Sequence, residues 1–161
     1  MSSSSIHIET QLPYSMEKVW RAWTDPALMT WFGSDPAGTV QQAVLDVRPQ
    51  GAYEITFKNS DGSEYTCYGT YKEVEEPRRL SFTWNWKNEP GQQSMAAVAL
   101  EPLGTHGTVM AFTHSDLWAG SAHDYEWGWK RTFEKLDAVL ARADASEIGD
   151  HLNAKFNDRP V

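Results

Sequence analysis

His114 is the residue best suited to proton chemistry in this sequence. It ends the apolar run Val109-Met-Ala-Phe-Thr-His114, with Asp116 two positions on. Imidazole titrates near neutrality, so His114 could act as acid, base or ligand-orienting donor, with Asp116 or Tyr125 as its partner in proton transfer. The plainer reading, a strand-end histidine hydrogen-bonded to loop backbone, is favoured over the catalytic one. A metal would need three or four ligands. His114, Asp116, His123 and Glu126 are close in sequence, but their spacing matches no standard zinc signature, so no metal is expected. There is no nucleophile elbow, P-loop or dinucleotide glycine fingerprint, and no cofactor is expected. Cys67 has no flanking Lys, Arg or His to activate it and reads as a packed strand cysteine.

The second source of chemistry is aromatic. Eight Trp, six Tyr and six Phe in 161 residues are a heavy load, and such side chains either fill a core or line a pocket. Strand parity sorts them. Leu80, Phe82, Trp84 and Trp86 share one face, as do Met110, Phe112 and His114, with Tyr125 and Trp129 opposite on the last helix. The expected pocket is lined by Phe57, Tyr68, Trp84, Trp86, Met95, Met110, His114 and Trp129. Tyr68 sits awkwardly in that set, since Tyr65, Cys67 and Tyr71 have the opposite parity.

The elements that must position these residues follow from periodicity. Ile6 to Leu12 alternates as a half-buried strand and stops at Pro13. Ser15 caps a short helix whose Met16, Val19, Trp20 and Trp23 share a face. Asp25-Pro26 starts a second short helix, with Pro at the first helical position. Strands are then expected at 44–48, 53–57, 65–74, 80–86, 94–100 and 109–114, separated by turns at Pro49–Gly51, Asn59–Gly62, Pro77, Pro90-Gly91 and Gly104–Gly107. A final helix begins at Ser121-x-x-Asp124 and runs to about 143, its apolar stripe being Ala122, Tyr125, Trp129, Phe133, Leu136 and Leu140. The organisation is thus a disordered start at 1–5, one domain over 6–143, and a tail at 144–161. In that tail Ile148, Leu152 and Phe156 are spaced for a short helix that could dock on the domain, on a twin subunit as a homodimer, or on nothing.

Composition excludes some partners. A net charge of −8, with no Lys/Arg cluster to offset it, disfavours nucleic acids and anionic membranes. No signal peptide and no apolar run of about 18 residues is present, and a cytoplasmic protein is the expectation.

Several separated motifs recur in order: Val19-Trp-Arg-Ala-Trp-Thr-Asp-Pro26, Trp31-Phe32-Gly33, Gly69-Thr-Tyr71, Pro77-Arg-Arg-Leu-Ser-Phe-Thr-Trp84, Gly107-Thr108 and Trp127-Gly-Trp129. In these the chain resembles the small bacterial proteins named after the C-terminal domain of the Hsp90 ATPase activator. They belong to the helix-grip superfamily, with START domains, polyketide cyclases and plant pathogenesis-related proteins. The resemblance spans about 6–143 and implies an α+β helix-grip fold: a curved antiparallel sheet of about seven strands, two short helices and a long C-terminal helix around an apolar cavity. It implies less about function, because fold does not fix function. The leading expectation is binding of a hydrophobic, aromatic small molecule. The alternatives are a cyclase or hydrolase using His114, or an Hsp90-type chaperone partner. Lacking the activator's separate N-terminal domain, the chain is a poor candidate for strong ATPase stimulation.

Overall fold

The computed structural model describes the backbone of residues 3–157. The side chains of Ser3, Pro90, Ala119 and 143–157, with the docking or dimer role expected of Ile148, Leu152 and Phe156, lie outside the described residues. The order is β1 (Ser3–Leu12), α1 (Met16–Thr24), β2 (Thr39–Leu45), β3 (Ala52–Lys58), β4 (Glu64–Glu75), β5 (Arg79–Trp86), β6 (Glu89–Leu103), β7 (Gly107–Trp118) and α2 (Ala122–Asn157). The strands form one curved antiparallel sheet in the order β1-β7-β6-β5-β4-β3-β2. Only the β1–β7 pairing is non-consecutive; the rest is a meander joined by short turns.

The local causes are those the sequence advertises. Ser15 caps α1, its Oγ accepting the Lys18 N–H at 3.3 Å, and α1 buries Val19, Trp20, Ala22 and Trp23. Asp25 caps the next segment, but only a single 3₁₀ turn, Pro26–Leu28, forms. Beyond that turn the chain is pinned by side chains rather than helix: Trp31 Nε1 donates to the Ala22 carbonyl at 3.0 Å. The core lies between the concave sheet face and α2, where Trp129, Phe133, Leu136, Val139 and Leu140 are buried.

Several boundaries differ from expectation, among them that of β7, which runs on to Trp118 instead of ending at His114. β1 begins at Ser3, because the backbone pairs with β7 as far as Ser3↔Trp118. β2 occupies Thr39–Leu45 rather than 44–48; Asp46 to Gly51 closes a tight turn, with Gly51 N–H donating to the Arg48 carbonyl at 2.8 Å. The β5–β6 reversal falls at Lys87-Asn88, since Trp86 pairs with Glu89, and Pro90-Gly91 lies in a bulged part of β6. The backbone of α2 continues to Asn157: a lone Gly149 costs only about 1 kcal/mol in a helix, and no Pro intervenes.

One close approach fixes the sheet's centre. Tyr53 OH donates to the Thr83 carbonyl at 2.6 Å, and the Thr70 N–H donates to Thr83 Oγ1 at 2.9 Å. A Cβ on Gly69 would collide with that same carbonyl. Gly69→Ala should therefore lower stability by about 1–3 kcal/mol. A reduced urea midpoint at unchanged slope would show it, whereas an unshifted midpoint would mean that β4 and β5 part freely here.

Candidate functional site

Where α2 begins, it crosses the ends of β3, β4 and β5 without closing on them. The gap is a cavity of ≈ 350 Å³. Its walls are aromatic: Phe32 from the segment after α1, Phe57 from β3, Tyr65 from β4, Trp84 and Trp86 from β5, and Tyr125 and Trp129 from α2. Helical spacing brings Asp124, Tyr125, Gly128, Trp129 and Thr132 to one face of α2. Ring pairs hold the wall in shape: Trp84 meets Trp86 and Trp129 edge-on, each at 5.2 Å, and Phe57 meets Trp86 at 5.9 Å. The rim is polar, with Asn88, Glu89 and Asp124 exposed and Ser34 and Asn59 half-buried.

One lip is tied down electrostatically. Lys135 Nζ donates to the carbonyls of Gly33 and Asp35 at 3.2 and 2.9 Å. Asp35 Oδ2 in turn accepts from Ser60 N–H and Oγ, both at 2.7 Å. These Ser60 bonds hold the Asp35 carboxyl below its ordinary value, while partial burial lowers the Lys135 ammonium.

The polar groups inside the cavity converge on Tyr125. Trp86 Nε1 donates to the Tyr125 oxygen at 2.7 Å. Burial raises the Tyr125 phenol, the Trp86 indole draws it back down, the Glu89 carboxylate raises it further, and the Trp84 indole lowers it slightly. The N–H of Trp84, a side chain only 3% exposed, is turned toward the Tyr125 oxygen but completes no hydrogen bond of good geometry.

The candidate residues of the sequence divide. Phe57, Trp84, Trp86, Trp129 and Tyr125 line the cavity. Met110 and His114 face the same way but sit deeper, fully buried in the core behind the lining. His114 Nδ1 accepts from Trp129 Nε1 at 3.0 Å, so the ring proton lies on Nε2 and is given to Ser94 Oγ at 2.7 Å. Burial pushes its pKa down to about 3, so it is a neutral spacer that orients Trp129, with no acid–base range near neutrality. Asp116 is exposed at φ 61 on a bulge of β7, where the register jumps between Ser4↔Leu117 and Ile6↔His114. The extra residue turns its carboxylate away from His114, and the two do not form a pair.

Tyr68 and Met95 lie on the other face of the sheet. In β4 the buried set is Cys67, Gly69 and Tyr71, which turns Tyr68 outward. In β6 it is Ser94, Ala96, Val98 and Leu100, which does the same to Met95. Tyr65 was readable as inward from the parity of Cys67 and Tyr71. Gly128, Asp124 and Thr132 were readable from their spacing with Tyr125 and Trp129. Glu89, Asn88 and Ser34 carried no such signal, because turns place them. Among the described residues no three His, Cys, Asp or Glu side chains come together as a metal site, and no helix is long and apolar enough to cross a membrane.

Comparison with solved structures places the fold. An AHSA1 protein from Silicibacter pomeroyi superposes with TM-score 0.77 at 24% identity, covering 87% of this chain and 99% of that one. An AHSA1-like protein from Aeromonas hydrophila gives 0.76 at 21% identity, covering 88% and 94%. A protein from Nitrosomonas europaea gives 0.75 at 22% identity, covering 88% and 96%. At such identities the likeness is one of fold. No curated protein matches the sequence. The model of one family, described as Activator of Hsp90 ATPase homolog 1-like protein, matches residues 13–141; the chain belongs to that family.

Proposed function

We propose that this protein binds a hydrophobic, aromatic small molecule in the cavity between α2 and the sheet. The observation that carries the reading is the space left open at Gly128. A glycine inside a helix costs about 0.8–1.0 kcal/mol relative to alanine, and nothing packs closely against this one. A Cβ there would meet only Ser34 Cβ, at 3.9 Å. The chain thus keeps a destabilising residue where any side chain would project into the cavity. Aromatic walls with a few convergent polar groups are the usual make-up of a small-molecule site, and ≈ 350 Å³ falls near the lower end of the range for such pockets, about 300–1,000 Å³.

Gly128→Leu tests this directly. The variant should gain stability by roughly 0.5–1 kcal/mol from helix propensity, a rise in Tm of about 2 °C. It should also lose binding. Native mass spectrometry of freshly purified protein should find a small molecule on the native chain and none on the variant. Naphthalene should quench the tryptophan fluorescence of the emptied native chain alone. Equal uptake by both proteins, or none by the native chain, would sink the reading.

A further inference from the structure

We infer that the cavity selects uncharged aromatic molecules bearing an oxygen acceptor, seated between Trp84 Nε1–H and the Tyr125 hydroxyl, and rejects carboxylates. This rests on the cavity reading above and gives it a substrate class.

The first observation is the unpaired donor. Trp84 is 3% exposed, lines the cavity, and its Nε1–H, turned toward the Tyr125 oxygen, completes no hydrogen bond of good geometry. Leaving such a group unbonded is unfavourable, and an acceptor brought by a ligand would relieve it. The second is Tyr125. An indole only donates, so the 2.7 Å contact from Trp86 makes the Tyr125 oxygen an acceptor and leaves its own proton to be given away. No acceptor for that proton is found among the described residues. Two donors therefore stand together on a wall that is otherwise ring carbon.

The third observation sets the charge. No lining residue is Lys, Arg or His, and two are acidic, Glu89 and Asp124. Lys135, on the next turn of α2, has its ammonium turned to the carbonyls of Gly33 and Asp35. The two donors could bond a carboxylate as well as a ketone. A carboxylate, however, would have to leave water for a site with no counter-charge and two acids at its mouth. Glu89 already acts against negative charge at this spot, since it disfavours the ionised form of the Tyr125 phenol. A ketone, quinone, ester or aryl ether uses the same donors without that penalty.

Three matched two-ring probes separate the outcomes: 2-acetylnaphthalene, 2-naphthoate and 2-methylnaphthalene, titrated at pH 7 with tryptophan fluorescence as readout. The ketone should bind at least tenfold more tightly than the carboxylate. In Trp84→Phe, the ketone should weaken about three- to tenfold more than 2-methylnaphthalene does, the range of one neutral hydrogen bond. In Glu89→Gln/Asp124→Asn, both changes being at exposed positions, the gap between ketone and carboxylate should narrow. Naphthoate binding as well as the ketone, or Trp84→Phe weakening both neutral probes alike, would overturn the inference and leave the cavity as a ligand site. Failure of all three probes to bind would overturn the cavity reading itself.

Discussion

Trp23→Ala is expected to remove about 3–5 kcal/mol of stability, a large part of the roughly 5–15 kcal/mol that holds a domain folded. Trp23 is 2% exposed and is the common neighbour of the aromatic core. Its ring centroid lies 4.7 Å from Trp31, 6.1 Å from Phe32, Phe112 and Phe133, and 6.2 Å from Phe82. It joins α1, the segment after it, β5, β7 and α2, so no single neighbour can collapse into its place. The Tm should fall by about 10 °C or more. Trp23→Phe should be far milder than its volume change suggests. The Trp23 indole N–H has no hydrogen-bond partner, so its removal also takes away an unsatisfied polar group. Calorimetry on the two variants decides the matter: a loss below about 1 kcal/mol in Trp23→Ala would show that the core repacks around the gap.

The second large effect is acid sensitivity. In the fold, His114 is held neutral with its pKa pushed down to about 3 by burial, while in the unfolded chain it returns to about 6.5. The unfolded state thus binds a proton that the folded state refuses. Its contribution is fully present above about pH 6.5 and shrinks as the pH falls toward 3. The loss should amount to about 2 kcal/mol by pH 5 and about 3 kcal/mol by pH 4. Asp35 and Asp61 are both held below their ordinary values by serine hydrogen bonds and act in the same direction, but only at lower pH, which leaves the interval from 6.5 to 5 to His114. His114→Gln can keep both bonds, accepting from Trp129 and donating to Ser94, with nothing to protonate. Urea midpoints measured from pH 7 to 5 should slope in the native chain and flatten in the variant. Parallel slopes would locate the acid-sensitive group elsewhere.

The sequence carried the sheet and the helix well, because their patterns are periodic and heavily weighted. Leu80, Phe82 and Trp84 alternate without exception, and Tyr125, Trp129, Phe133, Leu136 and Leu140 mark the buried face of α2 without ambiguity. The site was legible where those two patterns meet, at Trp84, Trp86, Tyr125 and Trp129. It failed where one residue is inserted. The bulge in β7 moves Asp116 out of reach of His114, and no local composition announces a bulge of this kind. Met95 was misplaced by its size: the smaller Ala96 points inward, and Val98 and Leu100 set the parity. Glu89 and Asn88 reach the rim because the chain reverses two residues before Pro90-Gly91, the stronger turn signal. His114 reads from the sequence first as a strand-end histidine bonded to loop backbone, with a catalytic role second; its partners are instead two side chains, from β6 and α2, that fix its tautomer in the core.

The pairing of β1 with β7 has a temporal consequence. Synthesis delivers Ser3–Leu12 before the other strands of the sheet, yet their one sheet neighbour among the described residues is the last strand, Gly107–Trp118. Until the ribosome has released that strand, Ile6 and Ile8 have no ladder to join, and the β3–β6 meander has only the short α1, and not α2, to cover its apolar side. Closing so long a loop is slow relative to forming hairpins. The nascent chain should therefore stay sensitive to protease through most of its translation, and become resistant in a single step once α2 emerges.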